Sequence, residues 1–279
     1  MRKGLSLALV MAAGFGVLTA CSSDKTETVA VEATEPGNGQ FKISAPASVS
    51  GGVVKIDFKN SGKASHEAQV VRVEGDHTQA EVVDNVAGDS TSIPSWLFAE
   101  GGVGSTAPGQ SRSATVKLSP GKHFVIDTGT DDNNNSFAKG GAVAALTVTG
   151  DSGGKVPQSG ARIEAKDYEF TIPTLKAGTQ SITFDNVGHQ PHVLFAAPIA
   201  AGKTLDDVKA ALTSQDQSSG PPPVDFTKGT SVSAVEGTKS VATSLSLEKG
   251  NYVFICFLSD RGGGPPHFTL GMLEEAAVT

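Results

Sequence analysis

Ser181-Ile182-Thr183-Phe184-Asp185-Asn186-Val187-Gly188, with His192 four residues on, echoes Lys55-Ile56-Asp57-Phe58-Lys59-Asn60-Ser61-Gly62, with His66 four residues on, at an offset of 126 residues. Outward from this pair the echo continues. Pro94 and Phe98 match Pro222 and Phe226 at an offset of 128, and Leu118-Ser119-Pro120-Gly121 matches Leu247-Glu248-Lys249-Gly250 at 129. A slow drift in one direction is the mark of a duplicated unit that has gained a few loop residues. Within each copy the apolar period is two: Val54, Ile56 and Phe58 alternate with polar neighbours, as do Ile182 and Phe184, and Leu245 and Leu247. Such runs are half-buried strands, and strands punctuated by Gly, Pro, Asn and Ser clusters in units of about 110 residues predict two tandem β-sandwiches in an all-β chain. The copies are expected at residues 38–150 and 161–279, joined by a flexible linker at 151–160, DSGGKVPQSG. One helix is expected in the second copy, over 205–213, where Thr204 and Asp207 supply a cap ahead of Val208, Ala211 and Leu212.

The chain begins with Arg2 and Lys3, an apolar run over 5–17, and Leu18-Thr19-Ala20-Cys21. This is the pattern of an export signal with a cleavage site, and the run is short for a spanning helix. The Leu-x-Ala-Cys ending resembles a bacterial lipobox, which implies that residues 1–21 are a lipoprotein signal and that Cys21 carries lipid. The expected location is the extracytoplasmic face of the cell membrane. Residues 22–37, polar with scattered valines, read as a flexible tether. A net charge of −7 with no basic run removes nucleic acid from the partner classes.

The chain has two cysteines, so assigning Cys21 to lipid leaves Cys256 as a lone thiol with no internal disulfide. Met1 and Met11 fall within the signal, which leaves Met272 alone among the three methionines. The second copy therefore carries His192, Cys256, His267 and Met272, in that order. Two imidazoles, a thiolate and a weak axial thioether are the mixed donor set that copper prefers. Strand alternation places Tyr252, Phe254 and Cys256 on one face; a ten-residue loop leads to His267, and Met272 follows after four more. His189 competes with His192, but the equal spacing of Gly62 to His66 and Gly188 to His192 favours His192. In the first copy Asp127 stands opposite Cys256, and extending the alignment sets Ser136 opposite His267 and Gly141 opposite Met272, so only His66 survives and that copy is expected to be metal-free. His77 and His123 read as surface or strand residues, Asp131-Asp132-Asn133-Asn134-Asn135 as a solvated turn lacking the spacing of a calcium loop, and Trp96 as a core or interdomain residue.

Asn186-Val187-Gly188-His189-Gln190-Pro191-His192 and Tyr252-Val253-Phe254-Ile255-Cys256, with His267 and Met272, resemble the cupredoxin (plastocyanin and azurin) family of blue copper proteins. The resemblance implies tandem Greek-key cupredoxin-like domains. It also implies one copper ion in the C-terminal domain, with His192 and His267 as imidazole ligands, Cys256 as thiolate and Met272 as axial ligand. The Cys256–His267 loop is longer than in small electron carriers and nearer that of copper nitrite reductases. No His-Glu-x-x-His or P-loop motif occurs, so the expected role is one-electron transfer rather than catalysis, with the stretch 262–266 leaving His267 near the surface. The expected partner is a redox or copper-exchange protein of the cell envelope. Two alternatives stay open: copper delivery or storage, and a metal-free interaction protein in which Cys256, His267 and Met272 pack a corner.

Overall fold

The computed structural model describes residues 26–88, 92–158, 160–214 and 221–279; the export signal and Cys21 lie outside them. The first copy comprises β1 (Glu27–Gly37), β2 (Gln40–Ser44), β3 (Ser48–Ser50), β4 (Gly52–Asn60), β5 (His66–Val73), α1 (Gln79–Val86), β6 (Leu97–Thr106), β7 (Ser111–Leu118), β8 (Gly121–Ile126) and β9 (Val143–Thr149). The second comprises β10 (Ala161–Lys166), β11 (Glu169–Thr171), β12 (Gly178–Asn186), β13 (His192–Pro198), α2 (Leu205–Thr213), β14 (Thr230–Val235), β15 (Ser240–Leu247), β16 (Gly250–Ile255), α3 (His267–Leu270) and β17 (Leu273–Val278). The chain is thus all-β in its layers, two tandem cupredoxin-like sandwiches. The helix foreseen at 205–213 is present as α2, with Thr204 and Asp207 forming a reciprocal cap. The first copy holds a counterpart in α1, capped in the same way by Thr78 and Glu81, which the sequence reading did not foresee.

The strands form two sheets, and each runs through both copies. One has the order β11-β10-β12-β15-β7-β4-β1-β2 and the other β17-β16-β13-β14-β6-β5-β8-β9-β3. At the seam β15 meets β7, with Ala242 opposite Thr115, and β14 meets β6, with Val235 opposite Glu100. Each strand there meets its own counterpart from the other copy, antiparallel, which is the geometry of an isologous contact within one chain. A single apolar core runs from Val29 through Phe58, Val116, Phe184 and Val241 to Val278. The seam also has its own polar fastening. The guanidinium of Arg112 donates to the carbonyls of Ser105, Ser231 and Ser244, Gln69 exchanges hydrogen bonds with the Ala234 backbone, and Lys239 reaches the buried Glu100 at 2.6 Å. Gly104 is obligatory here, because a Cβ would stand 2.0 Å from the Ser231 carbonyl oxygen.

Two expectations need correcting. Residues 27–37 are not a tether: they form β1, whose Val29, Val31 and Ala33 are buried, and which pairs in parallel with β4 from Glu27 opposite Val54 to Ala33 opposite Asn60. The period-two apolar pattern is weak there, because the inward face holds only Val29, Val31 and the small Ala33, and Ala30 puts an apolar residue on the outer face. The start of the 151–160 linker is held down as well, since Ser152 donates through N and Oγ to the Gly51 carbonyl and Val53 N donates to Gly153 O.

Candidate metal centre

His192 opens β13 after a turn that is organised by two side chains. Asn186 donates to the carbonyls of Gln190 and Val235 and accepts from Gly188 N. Asp167 accepts from His189 N and Gln190 N and takes the Nε2 of His192 at 2.8 Å. Cys256 directly follows β16, and its backbone is knitted to the rest of the corner: Cys256 N donates to Met272 O, Phe268 N to Cys256 O, His267 N to Leu258 O, and Met272 N to His267 O. The side of His267 away from Cys256 is held by Asp260, whose carboxylate accepts from Nε2 at 3.1 Å and from the Tyr168 hydroxyl at 2.9 and 2.8 Å.

With both Nε2–H groups donated to carboxylates, the Nδ1 lone pairs point inward. The two Nδ1 atoms are 3.1 Å apart, and the Cys256 sulfur is 3.8 Å from the first and 3.5 Å from the second. The point equidistant from the three atoms lies about 2 Å from each, close to metal–imidazole bond length. Two facing lone pairs at this distance repel unless a cation sits between them, so the donor set fits a metal ion. It is the one group of three or more His, Cys, Asp and Glu donors among the described residues. All four sequence-derived candidates, His192, Cys256, His267 and Met272, come together and are wholly buried, with Met272 in the same core cluster as Cys256. Burial lowers both imidazoles below the usual histidine range, outweighing Asp167 and Asp260, and pushes the thiol up to about 12. Without metal the donors are therefore neutral, and a divalent cation has to displace the thiol proton.

His267 does not lie near the surface, as the glycine- and proline-rich stretch suggested. Its side chain is fully covered, by Asp260 and by the ring of Tyr168 at 5.1 Å. The long loop that carries these residues is docked on the first copy. Arg261 donates to the carbonyls of Pro94 and Leu97, pairs with Glu236 and lies over the Phe98 ring, while its own carbonyl accepts from Ile93 N. Arg261→Met leaves the buried carboxylate of Glu236 without its ion-pair partner and takes one donor from each of two carbonyls, so stability falls by about 3 kcal/mol in a urea melt.

The counterpart pocket of the first copy is closed by its own side chains. Asp127 N donates to Ala142 O and Ala142 N to Phe137 O, the same bonds that Cys256, Met272 and His267 make. Phe137 and Ala142, not Ser136 and Gly141, therefore stand opposite His267 and Met272. Asp127 accepts from His66 Nδ1 at 2.6 Å, Glu35 holds Nε2 at 3.1 Å, and the Phe137 ring lies 4.4 Å from the imidazole. His189 is exposed beside Asp167, His77 stacks on Trp96 at 3.9 Å, and Trp96 packs on the first copy's second apolar cluster. His123 is buried on β8, and Asp131 spends its carboxylate on Asn133 and Asn135 within its own turn. Asp167, Asp260 and Arg261 were missed in the sequence. Extending the repeat upstream, with Glu35 opposite Asp167, would have found the first.

No family model matches the chain, and no curated protein matches it. Among solved structures the chain is similar to rusticyanin from Thiobacillus ferrooxidans (16% identity over 46% of this chain and 79% of that one, TM-score 0.32). It is also similar to reduced auracyanin from Roseiflexus castenholzii (20% identity, 44% and 98%, TM-score 0.29). A copper nitrite reductase from Nitrosomonas europaea is matched over both copies (13% identity, 91% and 94%, TM-score 0.30). The sheet order and the strand–loop–helix corner define the class as a tandem cupredoxin-like protein, with a His–Cys–His–Met cluster in the second copy and, among the described residues, no such cluster in the first.

Proposed function

We propose that the chain holds one copper ion between His192, Cys256, His267 and Met272 and passes single electrons. The observation that carries this reading is the triangle of two inward Nδ1 atoms and one sulfur at 3.1, 3.5 and 3.8 Å, buried beside Met272. Copper bound there supplies a one-electron Cu(I)/Cu(II) couple. The chain's own residues keep water out, and Asp167 and Asp260 fix both imidazoles, so little has to move when the charge changes. The carrier reading, rather than an enzyme, is supported by the complete burial of the donors, since catalytic metal sites keep a position open to substrate. Burial together with the docked Cys256–His267 loop favours a resident ion over one handed on to another protein.

The Leu18–Cys21 sequence supports lipid anchoring at Cys21 on the extracytoplasmic face of the cell membrane, with a redox protein of the envelope as partner. The test of the copper reading is to add Cu(II) to the metal-free chain, remove the excess, and record the visible spectrum and a voltammogram. The expected result is one copper per chain, an intense band near ~600 nm from a copper–thiolate bond, and a reversible one-electron wave. A colourless protein that retains no copper overturns the reading.

A further inference from the structure

Across the seam, on the outer face of the nine-stranded sheet, lies a groove of about 780 Å³, within the range of small-molecule sites. Its lining comes from both copies, so neither copy has it alone. Strand alternation on β14 sends Val232 into the core and turns Ser231 and Ser233 to the groove. Ser233 is 2% exposed, and its hydroxyl has no partner in the protein. A buried hydroxyl left unpaired is unfavourable unless something else bonds to it.

At the second-copy end the wall is aromatic. Phe195 and Phe257 have ring centroids 5.7 Å apart, and Phe257 is 41% exposed. At the first-copy end stands Glu67, whose carboxyl accepts from the Thr128 hydroxyl and is pushed up to about 7 by burial and by the charge of Asp127, with Arg112 opposing. The other acid of the lining, Glu236, is paired with Arg261. The groove thus has an aromatic end, an unpaired hydroxyl on its floor and a carboxyl at the far end. Its walls also touch the metal centre through sequence neighbours: Phe257 follows Cys256, Pro191 and Val193 flank His192, and Pro266 precedes His267.

We propose that this groove binds a small, uncharged molecule with an aromatic ring at one end and two hydroxyls along the chain it carries, its ring against Phe195 and Phe257, the nearer hydroxyl on Ser233 and the terminal one directed to Glu67. Such a ligand satisfies the orphan hydroxyl and lies one residue from three of the copper donors. Binding does not depend on copper, so this inference and the copper reading fail separately.

The test is equilibrium dialysis of 1-phenylethane-1,2-diol against the metal-free and the copper-loaded full chain. Ethylbenzene, which keeps the ring and lacks both hydroxyls, is the control. The expected result is one site per chain in both forms, with ethylbenzene at least tenfold weaker. Ser233→Phe, which fills the floor, removes binding, and Glu67→Gln, which keeps the shape, weakens it about fivefold; near-ultraviolet circular dichroism checks that each variant is folded. No binding of the diol, binding no tighter than that of ethylbenzene, or a folded Glu67→Gln protein with unchanged affinity overturns the proposal.

Discussion

Cys256→Ser removes the intense visible band of the copper-loaded chain while leaving the fold in place. The sulfur is the only soft anionic donor in the cluster, 3.5 and 3.8 Å from the two imidazole nitrogens. Serine is nearly isosteric, so the interlocked backbone of Cys256, His267 and Met272 has no reason to move. Its oxygen is a hard donor with a far higher pKa, and it lacks the sulfur orbitals whose mixing with copper gives the colour. Burying a hydroxyl at a wholly covered position costs about 1–2 kcal/mol, a small part of the stability of a chain with one core across both copies. The absorbance near ~600 nm should fall by more than tenfold while the urea midpoint of the metal-free protein shifts only slightly. A serine variant that keeps the band would remove Cys256 from the coordination sphere. One that loses copper and also unfolds would make the cysteine a packing residue.

The parts of this molecule that could be read from its sequence are those that local physics writes into neighbouring residues. Alternation at Val54-Ile56-Phe58 and Ile182-Phe184 gave strands, Thr204 with Asp207 gave a helix start, and four donors of three types in one copy gave the cluster. What escaped depends on partners far away along the chain. β1 reads as polar because only one of its faces meets the core, and its partner β4 lies a turn and two strands later. The seam needs strand edges to find each other, and no side-chain pattern marks β6, β7, β14 and β15 as those edges. Asp167 and Asp260 are ordinary carboxylates until folding sets them on His192 and His267. The slip of one residue in the first copy has a simple cause. The path from Asp127 to Ala142 is one residue shorter than that from Cys256 to Met272, whereas the sequence alignment made it two shorter, and inside the loop no apolar period marks the register.

That corrected correspondence makes a second prediction of large effect: the triple variant Asp127→Cys, Phe137→His and Ala142→Met gives the first copy a copper site of its own. The scaffold is already present. His66 stands where His192 does, with Glu35 on its Nε2 as Asp167 is on that of His192, and Asn60 organises the preceding turn through Ala64 and Thr106 as Asn186 does through Gln190 and Val235. What closes the first pocket is equally specific. Asp127 occupies His66 Nδ1 at 2.6 Å, the atom whose counterpart faces the cluster centre, and Phe137 fills the volume of the second imidazole. Although burial opposes it, the carboxylates of Asp127 and Glu35 raise the pKa of His66. His66 is thereby biased to the protonated form, which cannot bind metal, and removing Asp127 weakens that bias and frees Nδ1 together. Copper per chain should rise from one to two, and the thiolate band should persist when Cys256→Ser is added. The new imidazole lacks a carboxylate placed as Asp260 is, and outer partners of this kind are worth about 10–100-fold in metal affinity, so the second ion should be the weaker by about that factor in a chelator titration. A folded triple variant that still binds a single copper would show that the first copy has diverged in backbone as well as in side chains.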